Sequence, residues 1–387
     1  MYTAGWSIEQ LKEEVAALGA RGLSREEFFT ELSPRLRRGL DNDASCWHTL
    51  DPQTRLLTSD QSRDLVDRGI YTAETVGAAG EVIIRSEYLK VDPNGFAELA
   101  TRRVPVGILA TATRGRPERS ARYREVLEPS GIPHELRAAF VLRGRVWGAV
   151  HIARREASGP FTQRDADVLA QVAPVIAEGI RGSLRFDAAR RVSGTEAPGL
   201  IVLDPAGEVE LLTPPALPLL AILGGRDFDP DKGQLPASVQ ALAAFVRSES
   251  APGAGGNVVT APGTESWVTL HASKPDPAGA RVAIVIEAAS GPRAATVRLE
   301  AHGATARERE VATLIAQGLG NSEIAEVLVV SPHTVRDHVK SLFEKLEVGS
   351  RQELVARVFF DEYLPEFVRQ TPLTSHGRFE TDLLPAD

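Results

Sequence analysis

Residues 331 to 340 read Ser-Pro-His-Thr-Val-Arg-Asp-His-Val-Lys. At about 100° per residue, this stretch and its continuation put Val335, Val339, Leu342, Phe343 and Leu346 on one side of a helix. His333, Asp337, Lys340 and Glu344 point the opposite way, with Arg336 and His338 on the flanks. A helix that turns such donors and acceptors away from its core is equipped to enter a groove of DNA. The plainer reading is a solvated charged face. The neighbouring residues decide between the two, because start signals, a tight turn and a second short helix occur together here.

Thr305 and Glu308 have the T-x-x-E spacing of a capping box, and Ser350 and Glu353 the S-x-x-E spacing. Asn321 follows Gly318 and Gly320 as the expected N-cap of a helix "NSEIAEVL". Ser331 caps the next helix, with Pro332 at its first position. Only "VVS" separates these two helices, which is the spacing of a helix-turn-helix.

Other reactive residues read differently. Cys46, Trp47 and His48 invite a thiol or haem reading, but neither paired metal ligands nor a resolving thiol accompanies the single cysteine. Cys46 therefore reads as a small core residue, and no metal site is expected. Trp147 and His151, four apart on a predicted strand, face the same side and either line a cavity or fill a core. Paired carboxylates and a nucleophile motif are missing, so no catalytic residue is assigned and the chain reads as non-enzymatic. No G-x-x-x-x-G-K-[ST] phosphate loop occurs. Any cofactor stays unknown.

The elements that must position these groups are legible in outline. A chain of 387 residues exceeds one ordinary core, so about two to four domains are expected. Apolar residues make up 43% and charged residues 25%, the values of a globular protein. One cysteine favours a reducing compartment, and a charged N-terminus without a long apolar run disfavours export or membrane insertion, so cytoplasm is expected. Six lysines against thirty-eight arginines suggest a high-GC bacterial coding sequence.

Residues 1–23 hold an N-terminal helix. In the next stretch Phe28, Leu32, Leu36 and Leu40 recur every four residues as a helical stripe. Residues 44–58 read as strand, turn, strand, and "ELRAAFVLRGRVWGAVHIARRE" as a hairpin turning at Arg143-Gly144. A long helix follows to residue 190, with Pro174 inside it. A linker at 195–199 leads to "LIVLDPAGEVELLT", two strands about a tight turn. "SWVTLHASKPDPAGARVAIVIEAA" makes a further hairpin, 290–303 forms a second junction, and 370–387 is a Pro-, Thr- and Ser-punctuated tail. No internal sequence repeat is evident. The order of elements lacks the strand-helix alternation of a phospho-accepting receiver domain.

"TARERE", "GLGNSEIAEVLVVSPHTVRDHVKSLFEKLEV" and "SRQELVARV" closely resemble the LuxR-type DNA-binding domain, with Ala304 standing where that family usually has Leu. The resemblance implies a four-helix domain over 303–369 whose third helix lies in the major groove of double-stranded DNA. Arg336, Asp337 and Lys340 would face base edges, with Thr334 and His338 nearer the phosphates. Asn321, Ser331 and His333 complete the candidate DNA-binding set. Arg and Lys can donate to guanine O6 and N7, and Asp can accept from cytosine N4.

The run "RYREVLEPSGIPHELRAAFVLRGRVWGAVHIARRE" with "FTQRDADVLAQVAPVIAEGI" resembles GAF domains of actinobacterial LuxR-type regulators, placing a GAF-like sensor at 24–192. Residues 197–290 resemble a PAS domain. The expected fold is therefore multidomain, α+β and all-α: two antiparallel sheets with helices, then the helix-turn-helix. The implied protein is a transcription regulator responding to a small-molecule effector, with RNA polymerase as a further partner. Two other readings stay open: an enzyme using the GAF-like pocket, and an interaction protein that has lost DNA binding.

Charge raises an objection. The chain carries a net −8, and 303–360 holds seven Arg or Lys against eight Asp or Glu. Binding must then rest on arrangement, with helix N-termini supplying phosphate-binding N–H groups. Two copies on two half-sites are expected, and the α-helical stripe at 28–40 and the long helix at 161–190 are expected to form a bundle in a homodimer.

Overall fold

The computed structural model describes residues 7–52, 54–72, 75–89, 92–189, 198–224, 235–248, 257–262, 267–274, 281–289, 299–316 and 319–355. Most of the linker, the first part of the second junction and the tail read from the sequence lie outside these residues. The chain forms two compact units, Met1–Ala288 and Ala289–Asp387. Among the described residues no helix is long and apolar enough to cross a membrane.

The first unit opens with α1 (Ile8–Gly19) and α2 (Arg25–Leu40), each started by a capping box, Ser7 with Gln10 and Ser24 with Glu27. Strands β1 (Ala44–Leu50) and β2 (Leu57–Gln61) follow, then α3 (Arg63–Asp67), α4 (Thr75–Tyr88), α5 (Phe96–Leu99), β3 (Val106–Ile108) and α6 (Leu109–Ala112). A π-helical turn at Tyr123–Leu127 leads into β4 (His134–Leu142) and β5 (Arg145–Arg154). Arg143 and Gly144 both adopt positive φ, 51° and 75°, which suits a two-residue hairpin turn whose twist matches the strands it joins. The five strands pair antiparallel in the order β2-β1-β5-β4-β3.

After α7 (Gln163–Ala189), which runs through Pro174, come β6 (Gly199–Leu203), β7 (Val209–Leu212), α8 (Ala216–Gly224), α9 (Ala237–Arg247), β8 (Asn257–Pro262), β9 (Trp267–Ser273) and β10 (Val282–Ala288). Their order is β7-β6-β10-β9-β8, again antiparallel. Both sheets thus share one topology although no sequence repeat announces it.

One face of the first sheet packs on α2 and α7, and α1 packs on both of these helices. Phe29 stacks on Trp47 at 5.4 Å, and Trp47 on Phe140 at 5.9 Å. The expected stripe of α2 is present, but Phe28, Leu32, Leu36 and Leu40 are all buried within this single chain. So are Leu169, Val172, Ile176 and Ile180 of α7. The apolar surface assigned from the sequence to a dimer bundle is consumed by the fold itself, because α1 supplies a third helix and the sheet a floor. Gly179 makes this closeness possible: a Cβ there would come within 2.3 Å of the Phe28 ring.

Helix α9 is apolar nearly all round, as a helix enclosed on two sides must be. Val239, Leu242, Ala243 and Val246 join the core of the second sheet with Ile201, Leu270 and Ile284. Ala241 and Ala244 pack instead with Leu50, Leu57, Phe96 and Ala139 of the first sheet.

The second unit holds α10 (Ala306–Ala316), α11 (Asn321–Leu328), α12 (Pro332–Leu346) and α13 (Arg351–Val355). Its core joins Leu299, Val311, Ile315, Ile324, Val335, Leu342, Leu346 and Leu354. Ala304 is buried in the same core, beside Leu299.

Candidate nucleic-acid interface and an internal cavity

The groove-entering candidate is built from the start of α12 upward. Ser331 Oγ accepts the Thr334 N–H at 3.0 Å and lies 2.9 Å from the Thr334 hydroxyl, while Pro332 occupies the first turn where no N–H is needed. Val335, Val339, Leu342 and Leu346 are buried, as their spacing requires. His333, Arg336, Asp337, Lys340 and Glu344 are exposed, and Thr334 and His338 are half-buried. His333 Nδ1 meets Asp337 Oδ2 at 3.0 Å, so Asp337 begins with a local partner.

Asn321 differs from its expected role. The N-cap of α11 is Gly320, whose N–H donates to Glu323 Oε2 at 2.6 Å, and Asn321 is the first residue of the helix. Its Oδ1 accepts from Arg351 Nη2 at 2.7 Å, tying α11 to α13. A glycine satisfies the cap because Glu323 reaches back to the backbone, leaving the asparagine amide for a tertiary contact. The turn after α11 places Val329 at φ 54° with 89% of its surface exposed, an uncommon backbone for a β-branched residue.

Side-chain ties hold the three-helix frame. The Thr305–Glu308 box forms as spaced: the Thr305 N–H donates to Glu308 Oε2 at 2.6 Å, and Thr305 Oγ1 accepts the Glu308 N–H at 3.2 Å. Glu308 also accepts from Ser341 Oγ at 2.6 Å and from Lys345 Nζ at 2.7 Å, joining α10 to α12. Burial opposes its charge, but these hydrogen bonds outweigh that and hold its carboxyl near 2. Arg307 donates to the Leu328 carbonyl, Arg309 to the Ala304 carbonyl with Glu300 at 3.0 Å, and Arg351 to the Leu319 carbonyl at 2.9 Å. Among the described Arg and Lys of this unit, Arg336 and Lys340 alone make no hydrogen bond or ion pair. Glu308, Ser341 and Lys345 form a tertiary cluster that sequence spacing hides, because over thirty residues separate Glu308 from the other two.

A cavity of about 490 Å³, counting its open mouth, lies over the other face of the first sheet. Cys46, His48, Asp60 and His151 line it from the sheet, and Leu65, Tyr71, Val76, Ile83, Ile84 and Ala237 close it. Trp147 does not line it. Phe140 pairs with Gly148 and Val141 with Val146, leaving Trp147 as the extra residue of a bulge, so the strand alternation that coupled Trp147 to His151 is interrupted between them. Cys46 is buried, and its thiol donates to Asp60 Oδ1 at 2.9 Å.

Beside the cavity the same face carries buried charges. Arg122 donates to Glu135 at 2.8 and 2.7 Å and to Asp92 at 2.8 Å, while Arg137 pairs with Glu87 and lies 3.7 Å from the centre of the Phe96 ring. Despite burial, the two guanidiniums and His151 hold the Glu135 carboxyl near 2.

Residues 304–358 match the family described as bacterial regulatory proteins, luxR family. The transcriptional regulatory protein DesR of Bacillus subtilis (strain 168) is 43% identical over 58 residues, which is 15% of this chain and 29% of that protein. The transcriptional regulatory protein UhpA of Escherichia coli (strain K12) is 49% identical over 55 residues, 14% of this chain and 28% of that protein. The chain therefore spans less than a third of the length of these curated relatives. The crystal structure of bacteriophytochrome RpBphP3 from the photosynthetic bacterium R. palustris aligns with 74% of this chain and 63% of that one, at 10% identity and a TM-score of 0.29, too distant to assign either sheet to a family. The luxR-family match covers the helix-turn-helix domain alone, residues 304–358.

Proposed function

Starting from a luxR-family helix-turn-helix domain, we propose that the chain is a non-enzymatic, sequence-specific DNA-binding transcription regulator controlled by its N-terminal unit. Helix α12 enters the major groove, Arg336 and Lys340 reach base edges, and Asp337 and His333 border them. Thr334, Ser331, His338 and the N-terminal ends of α11 and α12, starting at Asn321, lie along the phosphates. The observation that carries this reading is the assignment of cations: Arg307, Arg309, Lys345 and Arg351 are committed to internal ties, whereas Arg336 and Lys340 are left on the exposed face of one helix.

Residues 24–192 act as a GAF-like sensor and 197–290 as a PAS-like domain, with the cavity on the first sheet as the place for an effector. The helix-turn-helix domain extends over 303–369. A homodimer on two half-sites supplies affinity that one nearly neutral head lacks, RNA polymerase is a further partner, and the protein works in the cytoplasm.

The test uses DNA fragments recovered genome-wide with the full chain. By fluorescence anisotropy at fixed salt, Arg336→Ala and Lys340→Ala each weaken specific binding by about 1–3 kcal/mol, and Glu344→Ala changes it little. Equal affinity of wild type and the Arg336→Ala, Lys340→Ala double variant refutes the reading.

A further inference from the structure

We propose that Cys46, His48, Asp60 and His151 form a binding site for one zinc-class divalent cation, independently of how the C-terminal unit reads DNA. Strand geometry places the four side chains together. Cys46 and His48 are two apart on β1 and so face the same side. Asp60 on β2 is the register partner of His48, and His151 on β5 is the register partner of Cys46. Directly opposed residues have Cβ atoms about 4.5–5.5 Å apart, so three adjacent strands set four candidate ligands of three chemical types in one patch. The donor atoms of Cys46, His48 and Asp60 all lie within 4.8 Å of one another, with Sγ to Oδ1 at 2.9 Å and His48 Nδ1 to Oδ1 at 3.3 Å. Zinc bonds of about 2.0–2.3 Å at tetrahedral angles separate ligand atoms by roughly 3.5 Å, so small side-chain movements suffice for these three, while His151, outside that 4.8 Å set, must move further to complete it.

His151 is the independent observation. It is 2% exposed, it lines the same cavity, and neither ring nitrogen has a hydrogen-bond partner. Its Nε2 lies 3.6 Å from Glu135 Oε1, leaving Nδ1 free. A ligating histidine turns its second nitrogen toward a carboxylate, and Glu135, just beyond hydrogen-bond reach of Nε2, is placed to take that part. Asp60 has comparable support, since its Oδ2 accepts from Ser62 Oγ at 2.8 Å while Oδ1 faces Cys46 and His48. Burial lowers both imidazoles toward the neutral form that a ligand needs. The carboxylates of Asp60, Glu87, Asp92 and Glu135 offset the guanidiniums of Arg122 and Arg137 beside the site. Thiolate, imidazole and carboxylate together select a zinc-class ion over Mg²⁺ or Ca²⁺, which take oxygen ligands. Burial raises the Cys46 thiol, so the ion must displace its proton, which leaves to solvent.

The experiment is titration of the chelator-stripped full chain with Co²⁺. Because Cys46 is the only cysteine, thiolate-to-cobalt absorption in the near ultraviolet reports this site in the wild type without any variant. The expected result is that absorption at one ion per chain, removed by Zn²⁺, together with a rise in Tm on adding Zn²⁺ but not Mg²⁺. His151→Ala, with its circular dichroism checked, weakens Zn²⁺ binding by more than the about 100-fold that loss of a supporting partner costs. Absence of the thiolate band in the wild type, its persistence in Cys46→Ser, or unchanged affinity in folded His151→Ala overturns the proposal.

Discussion

Replacing Glu308 by Gln should loosen the frame that presents the groove-facing helix without touching that helix's exposed face. Glu308 is 4% exposed and joins α10 to α12 through Ser341 and Lys345 while its backbone bonds cap α10. Its carboxyl is held near 2 rather than at the ordinary 4.5. At about 1.4 kcal/mol per tenfold change in proton affinity, that difference corresponds to about 3 kcal/mol of stability carried by the ionised form. Lys345 keeps some contact with water at 21% side-chain exposure, so the loss on removing its partner falls at about 2–3 kcal/mol rather than higher.

The sign with pH follows from the depressed folded value. The stabilisation is fully present above about pH 5 and is lost as pH falls from 4.5 toward 2. Hydrogen exchange of the full chain at neutral pH, read on the amides of 306–346, should show about 30- to 150-fold faster exchange in Glu308→Gln. Wild-type protection, corrected for intrinsic rates, should fall between pH 5 and 3, and the variant should lose less. Exchange within about threefold of wild type at neutral pH, or equal acid sensitivity in both proteins, would refute the assignment of this carboxylate.

Three further outcomes test other parts of the molecule. Gly179→Ala should lower Tm instead of giving the gain of about 1 kcal/mol normal for an exposed helical glycine, because its Cβ would lie 2.3 Å from the Phe28 ring; a higher Tm would contradict the packing of α2 on α7. Arg122→Met should cost about 3–5 kcal/mol in urea unfolding, since it strands the carboxylates of Asp92 and Glu135 at 3% and 0% side-chain exposure; a loss below 1 kcal/mol would mean these charges find other partners. Two untied cations per head and two heads would give log affinity for DNA against log salt a slope of about −4 if all four neutralised phosphates; with Arg336 and Lys340 on base edges the slope should be shallower than that, and a slope near −8 or steeper would show that many more phosphates are neutralised.

The helix-turn-helix was legible because its determinants are local. Caps, a proline at the first turn, a short connection and a 3.6-residue apolar period act within a few residues of one another, so the order of types at 305–355 specifies the elements and the exposed side of α12. The hairpin at Arg143-Gly144 was readable for the same reason. Sequence spacing failed where a residue's role depends on a distant partner. Asn321 reads as a cap, yet Glu323 serves Gly320 and Arg351 takes the amide. The stripe at Phe28, Leu32, Leu36 and Leu40 specifies that a face must be buried, but only packing decided that α1, α7 and the sheet bury it within one chain. Cys46 looked solitary because Asp60 and His151 stand 14 and 105 positions away along the chain; antiparallel register brings them alongside. Amino-acid order sets which faces are apolar and where helices begin. Which charges meet is set by register and packing, since these alone bring together groups that the chain keeps far apart.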